Sequence, residues 1–455
     1  MLHIQADFSK KAGKMKPMHC VNNGPVYRLR SAEELHKEVC EGAPNQNNGN
    51  FEPYKALCIP YARTHDAAFE SVYGGEHTVD VANIFPDFSK DPYDENSYDF
   101  IMTDAYLRVI EMAGTKVFYR LGAKIEHGIK KYNTLPPADF KKWAIICEHI
   151  IRHYNYGWAD GYHMGIEYWE IWNEADGGTE TWGGTREQYY EFHNIVAEHL
   201  KQNFPELKIG GPAVSYLEHR EWLDGFFDHL RVPLDFFSWH NYRRDPNVFL
   251  HYIREAKKLL EEKGQPQAES ILNEWNYVKG WCGDDWAESL RTEKSLKGAI
   301  YVGSCICASQ YEPLDMLMYY DARPCGMNGM FGTDFYEPLK GYYVFQMFNE
   351  LYQLGAAAEV QRDDDRLFAC AAMSENEAAI MVNYFDDEEK EANQDVCIDL
   401  KHLGITGAAN AAFYCLDANH DATLVREEKT QASDLKLYVQ MPLFSSYLIK
   451  ITKED

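Results

Sequence analysis

A regular alternation of short apolar runs with amphipathic stretches, between residues 15 and 355, constrains the fold of this chain most. The apolar runs are rich in β-branched and aromatic residues and are bounded by polar or turn residues, which favours strands over helices. Eight runs are predicted to form strands: Met18–Val21, Ala56–Tyr61, Lys116–Leu121, Gly165–Trp172, Lys208–Gly211, Leu234–Trp239, Ser270–Leu272 and Leu314–Tyr320.

Helix signals lie between these runs. Thr185 followed by Gln188 fits a reciprocal helix cap, and Asp245 followed by Pro246 fits another helix start, which Gly264 ends. Eight strands alternating with helices predict a (β/α)8 barrel, in which helices surround a ring of parallel strands. An open, doubly wound sheet has the same alternation. However, no Gly-x-Gly-x-x-Gly sequence follows the first strand, and the count of eight favours closure.

The pattern changes after residue 355, where helical spacing disappears. Short alternating runs separated by turn residues predict an antiparallel β-sandwich of about 100 residues. We expect the barrel at residues 15–355 and the sandwich at 356–455, with residues 1–14 adding a strand to the sandwich. The predicted sandwich strands are Leu367–Ala371, Ala378–Tyr384, Asp395–Leu400, Ala411–Leu416, Leu435–Met441 and Tyr447–Ile451.

The formal net charge of −26 limits the partners of the chain. Its 71 acidic residues, against 45 basic ones, repel phosphate backbones and anionic membrane surfaces, so nucleic acid is not an expected partner. No apolar run reaches the length of a membrane span. The 11 cysteines lack zinc-type spacing, and the first residues lack the pattern of a signal peptide. We expect a cytoplasmic protein without metal or cofactor; the sequence leaves a homo-oligomer open.

Two glutamates follow apolar runs, where barrel enzymes carry their working residues. Glu174 ends the fourth run and Glu274 the seventh, so the two stand on opposite sides of an eight-stranded barrel. Retaining glycosidases need such a pair about 5–5.5 Å apart, one carboxylate as nucleophile and the other as acid and then base. The neighbouring Trp172 and Trp275 are expected to exclude water from the acid and raise its pKa. The pattern therefore favours a retaining glycosidase acting on a carbohydrate.

The same segments resemble glycoside hydrolase family 39, which belongs to the clan A retaining (β/α)8 glycosidases and includes β-xylosidases and α-L-iduronidases. The resemblance extends over nearly the whole chain, including the layout of barrel and sandwich. Five segments carry it: Lys16–Pro25, Arg63–Asp66, Trp172–Glu174, Phe237–Tyr242 and Asn273–Asn276.

The resemblance implies that Glu174 is the general acid/base and Glu274 the nucleophile. It also implies that Asn173 hydrogen-bonds the 2-hydroxyl of the sugar and that Tyr242 orients the nucleophile. Further residues are expected on the same ground to contact the substrate or to lie beside the nucleophile: His65, Asp66, His240, Trp275, Tyr320 and Asp321. Two structural alternatives stay open, a scaffold hydrogen bond for the His65–Asp66 pair and an ion pair between Asp321 and Arg323 at the barrel rim.

One departure from the family pattern concerns the residues after the acid. The family usually has Pro-Asn there, whereas this chain has Ala175 and Asp176. If Asp176 faces Glu174, its charge raises the pKa of the acid or changes the site for the leaving group. The departure puts the substrate in doubt more than the mechanism.

Enzymes that share the clan motifs cleave equatorial glycosidic bonds of several different sugars. A β-D-xylosidase that removes the non-reducing end of xylo-oligosaccharides is our first choice, followed by an α-L-arabinosidase, with β-galactoside cleavage also open. An iduronidase-like function requires a basic pocket, for which Lys124 and Arg323 are the candidates. A non-catalytic carbohydrate-binding protein is disfavoured because both glutamates are present. A metal hydrolase using His65, Asp66, His240 and Glu274 lacks supporting spacing.

Overall fold

A computed structural model describes residues 1–27, 49–65, 78–334, 336–404, 408–430 and 434–453. The strands in this part of the chain form a closed barrel of eight parallel strands and a separate nine-stranded sheet. The predicted fold class, a (β/α)8 barrel with a C-terminal antiparallel β-domain, is confirmed, and the strands predicted to form a sandwich belong to one curled sheet. None of the helices in these residues is both long and apolar enough to cross a lipid bilayer.

The chain starts with strand β1 (Leu2–Lys14), which belongs to the second sheet, and then enters the barrel. The barrel closes where its first strand pairs in parallel with its last. Its strands, in chain order, are β2 (Cys20–Asn22), β3 (Tyr61–Arg63), β4 (Lys116–Leu121), β5 (Tyr168–Ile171), β6 (Lys208–Val214), β7 (Phe236–His240), β8 (Glu269–Glu274) and β9 (Met316–Tyr319).

The second predicted strand is wrong in its position. The sequence predicts a strand over residues 56–61, but a helix, α1 (Phe51–Ala56), ends there and β3 begins only at Tyr61. Leu57 and Ile59 in the intervening turn are nearly inaccessible to solvent. The apolar run therefore reflects burial of a turn against the barrel, which sequence pattern alone does not distinguish from a buried strand.

Helices alternate with the barrel strands. Thr185 and Gln188 form the predicted reciprocal cap, and Asp245 accepts from the backbone of Asn247 at the predicted helix start. After α1 the helices are α2 (Val81–Ile84), α3 (Ile101–Met112), α4 (Phe140–Tyr156), α5 (Arg186–Asn203), α6 (Arg220–Asp228), α7 (Pro246–Glu262), α8 (Gly283–Glu293), α9 (Leu296–Ser309) and α10 (Lys340–Leu354), with 3₁₀ turns at Glu95–Ser97 and Gly178–Glu180.

The barrel interior is filled in two layers. Apolar side chains close the amino-terminal end: Cys20, Phe118, Tyr168, Phe236, Ile271, Met316 and Met318. Two residues further along four of the strands, on the same inward face, the side chains are polar and fully buried: Asn22, Arg63, Glu170 and Asn273. This polar layer lies directly beneath the carboxyl ends of the strands, where Glu174 and Glu274 stand.

The second sheet is one curled sheet with its own apolar core. Its order is β15-β14-β17-β12-β11-β10-β1-β13-β16, so β1 lies in the interior, antiparallel to β10 and parallel to β13. The predicted limits of the two domains stay a prediction. The other strands are β10 (Ala356–Arg362), β11 (Leu367–Met373), β12 (Glu377–Tyr384), β13 (Asn393–Lys401), β14 (Ala409–Leu416), β15 (Thr423–Thr430), β16 (Leu435–Pro442) and β17 (Ser445–Lys453).

Candidate active site

Glu174 and Glu274 stand at the carboxyl ends of the fourth and seventh barrel strands. Glu274 is the last residue of β8, and Glu174 follows β5 with a left-handed backbone (φ 49°). The Glu174 amide donates to the Ala213 carbonyl at 2.9 Å, and the Glu174 carbonyl accepts from Gly177 N at 2.8 Å and from Thr181 Oγ1 at 2.5 Å. These backbone bonds hold the carboxyl-bearing residue in a conformation that non-glycine residues seldom adopt.

The two carboxylates and the His240 ring converge on one point. A carboxylate oxygen of Glu174, one of Glu274 and a ring nitrogen of His240 all lie within 4.8 Å of one another. His240 Nδ1 is 2.7 Å from Glu174 Oε1 and 3.5 Å from Glu274 Oε2. A separation this short matches the pair in retaining glycosidases, whereas inverting enzymes hold their carboxyl groups roughly 6.5–9.5 Å apart to admit a water molecule.

Glu274 is surrounded by groups that favour its ionised form. Arg63 Nη1 donates to its Oε1 at 2.7 Å and the Tyr242 hydroxyl donates to its Oε2 at 3.0 Å. His65 Nε2 lies 3.2 Å from Oε1. Burial alone raises the pKa of Glu274, but the positive charges of His240, His65 and Arg63 outweigh it and hold the pKa well below its usual range. Glu274 is therefore a carboxylate at neutral pH.

Glu174 is shifted in the opposite direction. Burial raises its pKa, and the negative charges of Glu274 and Asp176 raise it further, against the opposing contact with His240. Two carboxyl groups whose environments push their pKa values apart indicate a division of labour between an acid and an ionised partner. Here Glu174 keeps its proton to a higher pH than Glu274 does.

Arg63 is a site residue that our sequence analysis did not single out. Its side chain is fully buried and donates to Glu170 Oε2 at 2.7 Å, Asn173 Oδ1 at 2.7 Å and Asn22 Oδ1 at 3.1 Å, besides Glu274. The guanidinium thus ties four strands of the barrel together beneath the site, its own β3 and the strands β2, β5 and β8. An arginine ending a short apolar run, with a glutamate within a strand two places on, was the signal that could have identified it.

Asn173 is held by the same guanidinium. Arg63 occupies its Oδ1, while its Nδ2 is buried and has no hydrogen-bond partner among the described residues. A buried amide hydrogen without an acceptor is costly unless a ligand supplies one. The amide is therefore oriented with its donor available beside Glu174.

Three further predictions differ from the structure in their placement or fall outside it. Trp275 is fully buried outside the barrel, with its ring 5.2 Å from that of Phe249 of α7, and the pairing of β7 with β8 shifts register at this strand end. Asp321 is also fully buried and is paired with Arg323 at 3.4 Å, the rim ion pair of the alternative prediction. Asp66 lies outside the described residues.

Trp172 also lies away from the acid, because it packs on the outer face of its strand with its ring 5.2 Å from that of Trp182. The aromatic side chains that do face the site come from loops after other strands and from the first turns of α8. Together they line a cavity of about 540 Å³, within the usual range for small-molecule sites. Its lining residues are His65, Ile125, His127, Glu174, Gly177, Glu180, Thr181, Ser215, Tyr216, Tyr242, Glu274, Trp281, Trp286, Tyr320 and Met327.

Tyr320, one of the predicted contacts, lies edge-on to the His65 ring at 5.4 Å. Tyr216, Trp281 and Trp286 are lining residues that the sequence analysis missed. Two tryptophans in the glycine- and aspartate-containing segment 280–286 were a signal for exposed aromatic surface. Neither cation considered for an iduronidase-like pocket, Lys124 or Arg323, is among the described lining residues.

Asp176 contacts the loop after β6 rather than the Glu174 carboxyl. Its carboxylate accepts from the Ser215 amide at 3.0 Å and the Ser215 hydroxyl at 2.5 Å, and lies 2.6 Å from His219 Nδ1. The pKa of His219 is raised by this contact. Asp176 thus anchors the segment that presents Tyr216 to the cavity.

The convergence of Glu174, His240 and Glu274 is also a geometry that could hold a metal ion. A guanidinium already lies 2.7 Å from Glu274, however, and its charge repels a second cation at the same carboxylate. A second cluster, Cys415, Asp417 and His420, lies in the β-domain. There the Asp417 carboxylate accepts from the turn's own backbone amides, as a turn-forming aspartate does.

The fold and the paired, oppositely shifted carboxylates define the class of (β/α)8-barrel proteins with a two-carboxylate site, the class that contains the retaining glycosidases. Within that class, the chain belongs to glycosyl hydrolases family 39, whose family model matches residues 45–276. The resemblance noted from the motifs is thereby confirmed.

Two curated relatives are β-xylosidases. The enzyme from Caldicellulosiruptor saccharolyticus is 30% identical over 161 residues, covering 33% of this chain and 32% of the relative. The enzyme from Geobacillus stearothermophilus is 29% identical over 137 residues, covering 28% of this chain and 26% of the relative. The matched segments thus span less than a third of either enzyme.

Solved structures share the fold over the full length. A glucosidase from Croceicoccus marinus has a TM-score of 0.79 at 20% identity, with 100% of both chains covered. A monomeric β-xylosidase from Caulobacter crescentus CB15 has a TM-score of 0.69 at 15% identity, again with 100% of both chains covered. At these identities the likeness concerns the arrangement of barrel and β-domain.

Proposed function

We propose that this protein is a retaining β-D-xylosidase that removes the non-reducing sugar of xylo-oligosaccharides by double displacement. The observation that carries the proposal is the short separation of Glu174 and Glu274, whose oxygens lie within 4.8 Å. Their opposite pKa shifts support the assignment of Glu274 as nucleophile and Glu174 as acid/base.

In the first step Glu274 attacks the anomeric carbon while Glu174 gives its proton to the glycosidic oxygen. The bond to the leaving group breaks and a covalent ester between the sugar and Glu274 forms. In the second step Glu174, now a carboxylate, takes a proton from water, and the resulting hydroxide equivalent displaces Glu274. Two inversions at one carbon give retention of configuration.

The neighbours of the pair prepare it for this chemistry. Arg63 and the Tyr242 hydroxyl hold both oxygens of Glu274, so the carboxylate is oriented before the substrate binds. The unpartnered Nδ2 of Asn173 is positioned to donate to the 2-hydroxyl of the sugar, a bond that strengthens in the transition state. His240, in contact with Glu174, stabilises that carboxylate when it acts as base in the second step.

The choice of xylose is supported by the two β-xylosidases that align with this chain. The proposed exo action is supported by the cavity, whose walls come from loops after several different strands and surround the carboxylate pair. Ile125, Glu180, Trp281 and Tyr320 are among the residues that line it. A site bounded in this way suits the end of a sugar chain better than its middle.

A panel of 4-nitrophenyl glycosides tests the substrate. We expect the highest kcat/KM for β-D-xyloside, above α-L-arabinopyranoside, β-D-galactoside and β-D-glucoside. Hydrolysis confined to another of these sugars would reject xylose while leaving the mechanism in place. Binding of xylo-oligosaccharides without turnover of any glycoside would instead favour a carbohydrate-binding protein.

Azide rescue tests the two roles separately. Glu274→Ala should lower kcat by roughly 10⁴-fold or more, and azide should restore turnover with a glycosyl azide of inverted configuration. Glu174→Ala should lower kcat by roughly 10²- to 10⁴-fold for poor leaving groups, and azide should then give the retained product. A 2-fluoro xyloside should label Glu274, as read by mass spectrometry of peptides. Labelling of another residue would contradict the assignment.

A further inference from the structure

A second cavity of about 460 Å³ lies beside the catalytic cavity. Tyr216, Tyr242 and Trp281 line both of them, so these three rings form a shared wall. The two spaces are therefore adjacent parts of one cleft.

Trp281 is the exposed edge of that wall. Its ring stacks on Trp286 with centroids 5.3 Å apart and meets Tyr242 edge-on at 5.0 Å, yet 48% of the residue is exposed to solvent. A rigid indole supported from behind and open in front offers a flat apolar face of the kind on which sugar rings pack. The wall thus provides a contact surface for a substrate that continues from one cavity into the other.

The second cavity is lined by three cations and one carboxylate, in a chain whose net charge is −26. The cations are Arg243, Arg244 and Lys279, and the carboxylate is Asp245, which is engaged at the start of α7. The ionisable side chains that line this cavity are mostly cationic, whereas the molecule as a whole is acidic. Whether these cations can bind an anionic ligand depends on how far neighbouring carboxylates already pair with them.

Two of the cations are already committed to neighbours. Arg243 donates to Glu218 at 2.5 Å and to the Tyr242 carbonyl at 3.1 Å. Lys279 lies 2.6 Å from Glu288 and 3.3 Å from Asp285. Their positive charge is largely balanced by these carboxylates.

Arg244 is the least committed of the three. Its side chain is 53% exposed, and its single ion pair to a described residue is a long one, 3.5 Å to Asp387. That carboxylate is already satisfied, since it accepts from the Tyr277 hydroxyl at 2.8 Å and lies 3.1 Å from the Lys297 ammonium. The guanidinium of Arg244 therefore keeps donors that a bidentate carboxylate ligand can use.

We propose that the second cavity binds the leaving-group portion of an acidic oligosaccharide, and that Arg244 selects a carboxylate on that portion. The proposal rests on the proposed function, because the catalytic cavity must hold the sugar that is cleaved. It adds a substrate class: chains in which a uronic acid follows the terminal sugar. The sugar ring packs on Trp281, and its carboxylate binds the guanidinium of Arg244.

The test compares β-D-xylosyl glucuronic acid with the same disaccharide in which the carboxylate is a primary amide. We expect the native chain to prefer the acid in kcat/KM by about three- to tenfold at low salt, with the preference falling as salt screens the contact. Arg244→Ala should bring the ratio of the two rates to about one, and Arg244→Lys should give an intermediate ratio because it keeps the charge but loses the fork.

Arg254→Ala is the matched control, because Arg254 is also an exposed arginine paired with a carboxylate, Glu312, but lies outside both cavities. It should keep the native ratio. Equal rates for acid and amide in the native chain, or an unchanged ratio in Arg244→Ala, would overturn the proposal. If no glycoside is hydrolysed at all, the proposed function fails, and calorimetric binding of acid and amide to the native chain and Arg244→Ala still decides the role of the cavity.

Discussion

At the scale of single residues, the site is organised by charge. Three positively charged or ionisable groups, Arg63, His65 and His240, surround Glu274, whereas Glu174 has one of them and two anions nearby. This asymmetry shifts the pKa values of two chemically identical side chains in opposite directions. It leads to two predictions about pH.

The first prediction concerns the pH profile of kcat/KM. The proposed mechanism requires ionised Glu274 and protonated Glu174, so the profile should be bell-shaped. The pKa of Glu274 is lowered, which puts the acidic limb below the ordinary glutamate value; that of Glu174 is raised, which puts the basic limb above it. Rates with 4-nitrophenyl β-xyloside measure both limbs. Glu174→Gln should abolish the basic limb, and its persistence there would contradict the assignment.

The second prediction concerns Asp176→Asn. Removing this negative charge should lower the pKa of Glu174 and move the basic limb to lower pH, while the amide oxygen can still accept from Ser215. Asp224→Asn, at an exposed aspartate on α6, should leave the profile in place. A basic limb that stays put in Asp176→Asn would show that Asp176 acts through loop anchoring alone.

At the scale of elements, the position of Glu174 depends on a helix behind its strand. Phe192 of α5 packs against Trp143 and Trp172, with ring centroids 4.7 and 5.5 Å away, and Trp172 is two residues before Glu174. The cap formed by Thr185 and Gln188 starts this helix. The cap therefore stabilises the helix that packs against the strand end carrying Glu174.

Thr185→Ala should lower the free energy of unfolding by about 1 kcal/mol, because the amide of Gln188 loses its side-chain acceptor. Urea unfolding followed by circular dichroism measures the change. Thr185→Ser keeps the hydroxyl and should stay close to the native value. Equal losses in both variants would indicate that the methyl group, not the cap, provides the stability.

At the scale of the whole molecule, the two ends of the chain meet in one sheet. The amino-terminal strand β1 pairs with β10 on one side and β13 on the other, and its Ile4, Ala6 and Phe8 enter the core of the β-domain. The Tyr311 hydroxyl, next to the end of α9, donates to the Ala358 carbonyl of β10 at 2.9 Å. Barrel and β-domain are thus joined through both the backbone and this interface.

Ile4→Ala should destabilise the protein by about 2–5 kcal/mol, since it leaves a cavity at a fully buried position. Differential scanning calorimetry measures the loss as a lower Tm. Lys11→Ala, at an exposed position of the same strand, should change stability by less than about 0.5 kcal/mol. A small effect of Ile4→Ala would mean that β1 contributes little to the β-domain core.

Much of this architecture was predictable from local pattern. The eight barrel runs, the helix starts at Thr185 and Asp245 and the change of texture after residue 355 follow from periodicity and capping, which depend on neighbours in sequence. The second strand was misplaced because burial of Leu57 and Ile59 in a turn produces the same apolar run. An apolar run in the sequence indicates that a segment is buried, but it does not show whether that segment is a strand or a turn.

By itself, the sequence determined the barrel and the position of two glutamates at strand ends, because strand spacing and strand-end motifs are local properties. Only the tertiary structure decided which side chains meet them. Closure of the barrel brought Arg63 to Glu274 across 211 residues of chain, and an irregular strand end left Trp275 packed on Phe249 of α7 instead of in the site. Contacts across a closed barrel depend on which strands become neighbours and on the face each residue takes, and neither is encoded in a short stretch of sequence.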